Sequence, residues 1–172
     1  AGVWIRGGEI RNLQITGNDI EYNYADDRTG SADLLFDSRE EQSSFRECAI
    51  TGNTIQARPS PGGANLRVLG GDGLRTSGLL TVTGNMIGSQ TDVFHFSSCR
   101  SVTVSGNIIY SAARHSMLAE NSEHLIVTGN SVDWNPDHRG KHLSDGFRFA
   151  HCRSIRFSDS ILENCFQGSE EN

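Results

Sequence analysis

The chain has 172 residues, of which 35% are hydrophobic and 19 are glycine, and its net charge is −6. It holds no apolar run long enough to cross a membrane and no recognisable signal peptide. A pI of 5.4, without interleaved aromatic and basic residues, argues against nucleic acid as a partner.

Val3-Trp4-Ile5 alternates as a strand from the outset. The apolar pair Leu13 and Ile15 then leads into Ile15-Thr16-Gly17-Asn18, and the phrase returns at Ile50-Thr51-Gly52-Asn53, Val82-Thr83-Gly84-Asn85, Val104-Ser105-Gly106-Asn107 and Val127-Thr128-Gly129-Asn130. A decayed sixth copy reads Phe157-Ser158-Asp159-Ser160. Repeats of this kind mark a stacked architecture, because each short unit can bury its apolar face only against its neighbours. Before each asparagine the apolar pattern has period two, from Leu13/Ile15 through to Ile155/Phe157, which predicts a strand with one buried face. Two residues after it stands another apolar residue: Ile20, Ile55, Ile87, Ile109, Val132 or Leu162. The chain therefore turns at Gly-Asn, the two residue types most tolerant of left-handed backbone, and starts a second strand.

A third strand precedes each phrase: Val3-Trp4-Ile5, Asp33-Leu34-Leu35-Phe36, Val93-Phe94-His95-Phe96, Met117-Leu118-Ala119 and Gly146-Phe147-Arg148-Phe149. The third rung reads equally as Leu66-Arg67-Val68 or Gly73-Leu74-Arg75. Three short strands per coil, a constant bend and an Ile/Val/Leu/Phe core predict an all-β fold, a right-handed parallel β-helix of about six coils. At a strand spacing of about 4.8 Å the rod is about 29 Å long. The asparagines then lie above one another, where their amides can form a hydrogen-bonded ladder.

These x-I-T-G-N-x-I repeats resemble the right-handed parallel β-helix repeats of the pectate-lyase-like superfamily, whose inner asparagine ladder occupies this bend. The resemblance covers essentially the whole chain. It implies a carbohydrate-active or glycan-binding protein in an extracellular or cell-surface setting. The catalytic motifs of the superfamily's pectate lyases, polygalacturonase-like hydrolases and alginate epimerases are not matched: Arg6 and Gly7 follow Val3-Trp4-Ile5 where pectate lyases carry Asp and His, so no catalytic residue is carried over.

Solenoids are capped at their ends, and the abrupt ends here predict that the whole chain is one segment of a longer helix. The cysteines read as structural: Cys99 and Cys152 share a turn position two coils apart, about 9.6 Å, beyond disulfide reach, and Cys48 replaces Leu at an inward site. No cofactor is implied; a Ca²⁺ site would need convergent oxygens, and Asp26, Asp27, Asp33 and Asp37 do not visibly supply them.

Charge is uneven. Residues 1–50 hold ten acids and five bases, whereas residues 137–156 hold five bases, three histidines and two acids. Strand parity turns Phe94, Phe96, Met117, Ala119, Phe147 and Phe149 inward and leaves His95, Leu118 and Arg148 facing out, with Arg6 assigned to that register, Trp4 one step earlier and Glu120 one step later. This stripe is the natural wall of a groove for a polysaccharide partner. Arg114 and His115 and the long excursion holding Arg139, Lys141, His142 and Asp145 add to it, since solenoid insertions often form the binding face. Arg148 and Arg139 could pair with uronate carboxylates in fork geometry, with His95, Lys141 or His142 abstracting the proton α to the carboxylate. Glu120 and Asp145 could instead form a carboxylate pair for glycoside hydrolysis; the bland reading of Asp145, just before Gly146, is a turn residue. His124 and His151 read as bend residues. The sequence thus predicts a polysaccharide lyase or glycoside hydrolase acting on an anionic polymer, and alternatively a noncatalytic adhesin-type solenoid. A third reading, a crystal-binding plane, rests on Thr81/Thr83 and Thr103/Ser105, a patch that Ile126 and Arg156 interrupt.

Overall fold

The computed structural model describes residues 1–71, 77–137 and 146–163. Its strands form three parallel sheets, each built by pairing a strand with the equivalent strand of the next coil. The first sheet contains Val3–Arg6, Ala32–Ser38, Ala64–Gly70, Asp92–Ser97, His115–Glu120 and Gly146–Ala150. The second holds the strands that end at each Thr/Ser-Gly-Asn turn, from Gln14–Thr16 to Arg153–Ser158, and the third the short strands after it, from Asp19–Glu21 to Ile161–Leu162. The fold is a right-handed parallel β-helix of six coils. The open third rung resolves to Leu66-Arg67-Val68, which lies in the first sheet; Gly73-Leu74-Arg75 falls outside the described residues.

Alternation builds the core. In the first sheet Leu34, Leu66, Phe94 and Met117 stack in one inward column and Phe36, Val68, Phe96 and Ala119 in the next, all at most 1% exposed. Ile55, Ile87, Ile109 and Val132 close the triangle from the third sheet. Phe36 stacks on Phe45 of the second sheet at a centroid distance of 4.2 Å. Each fully buried side chain of this size contributes about 1.5–3 kcal/mol.

The asparagines form one continuous ladder. Each donates its backbone N–H and its side-chain amide to the Oδ1 of the next: Asn18 to Asn53 at 2.9 and 3.0 Å, Asn53 to Asn85 at 3.0 and 2.9 Å, Asn85 to Asn107 at 3.0 and 2.9 Å, Asn107 to Asn130 at 3.1 and 3.0 Å. Ser160 Oγ ends it by accepting from the Asn130 N–H at 3.3 Å. The amides also donate to core carbonyls, as Asn85 does to Ile50 at 3.0 Å. The preceding glycine lies at φ +63 to +68 in all five intact copies, and Asp159 holds the same conformation in the sixth.

A second left-handed position recurs six residues before the asparagine, at Asn12, Glu47, Leu79, Ser101, His124 and Ser154. It kinks each second-sheet strand at one height, and no shared residue type announces it. His124 is accordingly a bend residue. Its equivalent Leu79 is both left-handed (φ +50) and 53% exposed, a conformation that costs an L-residue about 1–2 kcal/mol.

Two stability effects follow. Asn85→Ala removes ladder bonds on both sides and strands buried partners, so it is expected to cost about 3 kcal/mol, against about 1 kcal/mol for Asn18→Ala at the exposed end, read as urea midpoints. Leu79→Asn, which places a residue tolerant of left-handed backbone at an exposed site, is expected to raise the midpoint by an equivalent of about 0.5–1 kcal/mol.

Candidate functional site on the first sheet

The outer face of the first sheet carries two side-chain columns. Trp4, Leu35, Arg67, His95, Leu118 and Arg148 form one; Arg6, Asp37, Leu69, Ser97, Glu120 and Ala150 form the other. Trp4 therefore shares the His95 register and Arg6 the Glu120 register, a two-residue correction to the sequence assignment. Its cause is the corner after the first strand. Twelve residues separate the His95 register from the Asn or Ser of the turn in the last three coils, but fourteen do so in the first, so counting back from Asn18 lands on Arg6.

The two columns meet in one pair. His95 Nε2 lies 3.1 Å from Glu120 Oε2, one coil and one outward step away. The histidine side chain is 16% exposed and the glutamate 42%. Facing a carboxylate, Nε2 carries the proton and donates it, which leaves the lone pair on Nδ1; that atom is enclosed, with no hydrogen-bond partner among the described residues. Burial, and then the Arg67 charge beside it, push the His95 pKa down, against the opposing pull of Glu120, so the imidazole is neutral at pH 7. Arg67, which sequence reasoning missed because its rung was open, is itself 9% exposed. Its guanidinium turns away from the groove and donates to the carbonyls of Gly30 (3.0 Å) and Gly62. The signal that could have found it is the Leu66-Arg67-Val68 alternation, which matches Phe94-His95-Phe96.

Arg148 stands exposed two coils from His95, about 9.6 Å along the stack, and has no ion-pair partner among the described residues. Trp4 is 55% exposed, with the Arg6 guanidinium 5.2 Å from its ring centroid. Arg6 is also bound to Glu40, Nε to Oε1 at 2.6 Å, so its charge is already compensated. Arg114 is exposed at the start of the fifth coil's first-sheet strand. His115 corrects its assignment to the groove wall. It lies on the core side of the strand end, is 1% exposed, and its Nδ1 sits 2.7 Å from the buried Asp92 carboxylate. Arg139, Lys141, His142 and Asp145 lie outside the described residues.

The acidic residues weighed for Ca²⁺ are engaged separately: Asp26 with Arg58 at 2.7 Å, Asp37 with Arg39 at 2.7 Å, and Asp33 in the interior. Cys48, Cys99 and Cys152 are free thiols. Burial pushes Cys99 up to about 12, and Ser122 of the coil between Cys99 and Cys152 accepts from the Cys99 N–H at 3.0 Å, so these positions fill the corner. The hydroxyls of the turn phrase do run through all six coils, from Thr16 to Ser158. Beside them the neighbouring column changes from Thr81 and Thr103 to Ile126 and Arg156, so the two-column threonine patch stays two rungs long.

Asp33 is fully buried and accepts from Asn65 Nδ2 at 2.8 Å and from the Asn23 N–H and Nδ2, both at 3.2 Å. Burial outweighs these bonds and raises its pKa from 3.8 to about 6. The folded state thus binds this proton more tightly than the unfolded chain. The resulting stability is fully present below pH 3.8 and is lost as pH rises through about 6. At about 1.36 kcal/mol per unit, Asp33→Asn is expected to gain about 3 kcal/mol on the wild type between pH 3.5 and pH 7.5, measured by paired urea titrations.

Compared with known proteins, the chain matches no family model, no curated protein and no solved structure.

Proposed function

We propose that the protein is a carbohydrate-active β-helix of the pectate-lyase-like kind that binds an acidic polysaccharide along its first sheet, with Glu120 taking the proton and His95 positioning it. The observation that carries this reading is the His95–Glu120 pair, a neutral imidazole hydrogen-bonded to a half-exposed carboxylate on an outer face. Neither group is needed to fill the core. Because Nε2 is taken and Nδ1 is enclosed, Glu120 is the member able to reach a substrate, and His95 fixes its orientation. Arg148, in the His95 column, offers an exposed guanidinium for a uronate carboxylate. In the reaction Glu120 would accept the proton α to that carboxylate, the electron pair left behind would form the C=C bond, and the glycosidic C–O bond would break with its electron pair on the leaving sugar's oxygen, which takes up a proton from water. Hydrolysis would need a second carboxylate; from the sequence alone that is Asp145, just as Lys141 is the competing base.

The enclosed Nδ1 also supports the second reading, a glycan-binding solenoid without turnover, since a histidine with neither nitrogen open to the groove exchanges no proton with a ligand.

A product screen separates these readings. The protein is incubated with uronic-acid and neutral polysaccharides, and unsaturated ends and reducing ends are measured together. Unsaturated ends are expected on a uronan, with turnover lowered about 100-fold or more by Glu120→Gln and KM raised about tenfold by Arg148→Ala. Full loss of activity in Lys141→Ala, with Glu120→Gln unaffected, would move the base to Lys141. Reducing ends without unsaturation would make the enzyme a hydrolase, and binding without product would leave the noncatalytic solenoid.

A further inference from the structure

Four residues after each ladder asparagine the chain leaves the third sheet, and here the backbone ladder continues for one more step. Tyr22 donates its N–H to the Gln56 carbonyl at 2.8 Å, Ala57 to Gly88 at 3.4 Å, Ser89 to Tyr110 at 3.0 Å and Ser111 to Asp133 at 3.0 Å. Tyr22, Ala57, Ser89, Ser111 and Trp134 therefore occupy one column, a ring at each end and three buried small residues, at most 5% exposed, between. Four coil spacings, about 19 Å, separate the backbones of the two aromatic residues. All five line a single cavity of about 360 Å³, within the range of small-molecule sites. It opens beside the third sheet, away from the His95–Glu120 face.

Folding does not account for Tyr22. It is 60% exposed and its backbone is left-handed, φ +58, the conformation shared by Ser89 and Ser111 in the same column. A bulky side chain there carries strain and buries little apolar surface in return, as at Leu79, and what sets Tyr22 apart is the cavity that its ring lines. The opposite wall is held in place: Ser111 Oγ accepts from the Asn135 N–H at 2.9 Å, which anchors the turn that follows Trp134. The trough carries no uncompensated cation among the described residues. Arg58 is bound to Asp26 at 2.7 Å, with its guanidinium 4.2 Å from the Tyr24 ring centroid, and Asp137 adds a negative charge to the lining. Among the described residues, therefore, the lining offers no free cation to an acidic polymer and suits an uncharged one.

We propose that this trough binds a neutral, linear saccharide chain lying along the helix axis, the C–H faces of its sugar rings resting on Tyr22 and Trp134 and its hydroxyls meeting the polar lining. The proposal stands independently of the first-sheet reading.

The test uses a Trp4→Phe background, in which Trp134 is the sole tryptophan. Fluorescence is titrated with hexasaccharides of β-1,4-linked glucose, xylose and mannose and of polygalacturonate. At least one neutral chain is expected to give a saturable change that Tyr22→Ala weakens about tenfold or more and Arg148→Ala does not alter; calorimetry on Trp134→Ala should show the same loss. Tyr22 and Trp134 both lie outside the core, and far-UV circular dichroism checks each variant's fold. The proposal is overturned if no neutral chain saturates, if binding survives loss of both rings, or if only the uronate chain binds and Arg148→Ala abolishes it. That last result would uphold the first-sheet reading while removing this one.

Discussion

The asparagine ladder is the constraint from which the rest of the structure follows. An amide inside the coil has to satisfy two N–H donors and a carbonyl without water, and here each does so by bonding its counterparts in neighbouring coils together with core carbonyls. An unmade bond of this kind costs more than a made one contributes. The Gly-Asn corner must therefore keep one geometry and one height in every coil. Differences in coil length are displaced to the other corners: residues 22–31 connect the third sheet back to the first in one coil, and only residues 89–91 do so two coils later. Constancy at one corner is what permits variety at the next.

That division of labour explains where charged and polar groups collect. The corner leading into the first sheet is long in some coils and contains buried polar groups, among them Asp33 with Asn65, Asp92 with His115, and Gln90, whose Oε1 receives the Ser60 N–H at 2.8 Å. Arg67 crosses from the first sheet to hold the Gly30 and Gly62 carbonyls of this corner. Its positive field reaches His95 and helps to keep that ring neutral. The pair with Glu120 is thus set by loop anchoring one coil away as much as by its own hydrogen bond.

Much of this was legible in the sequence because solenoid repetition supplies its own alignment. The ladder, the inward columns and the outward position of His95 and Arg148 followed from period-two alternation counted from the asparagine. Counting failed where a corner changed length: Trp4 and Arg6 were each misplaced by two residues, a slip that preserves parity and so leaves no trace in the hydrophobic pattern. Arg67 was missed for the same reason, its rung lying between two corners of irregular length. The left-handed position at Asn12, Glu47, Leu79, Ser101, His124 and Ser154 had no compositional signature, since backbone pairing between coils imposes the conformation whatever the side chain. His115 was misjudged because strand ends at a corner can turn a polar group inward when a buried partner such as Asp92 awaits it.

The stacking also acts as a ruler. Groups displayed on any outer face can be separated along the rod only by whole multiples of the coil rise, about 4.8 Å. A flexible or irregular ligand can match such a scale at one or two marks. A polymer whose own repeat is commensurate with it can engage several marks in phase, and one with a different repeat drifts out of step within a few units. Discrimination between polymers of similar chemistry can therefore arise from pitch alone, before any individual side chain has been exchanged.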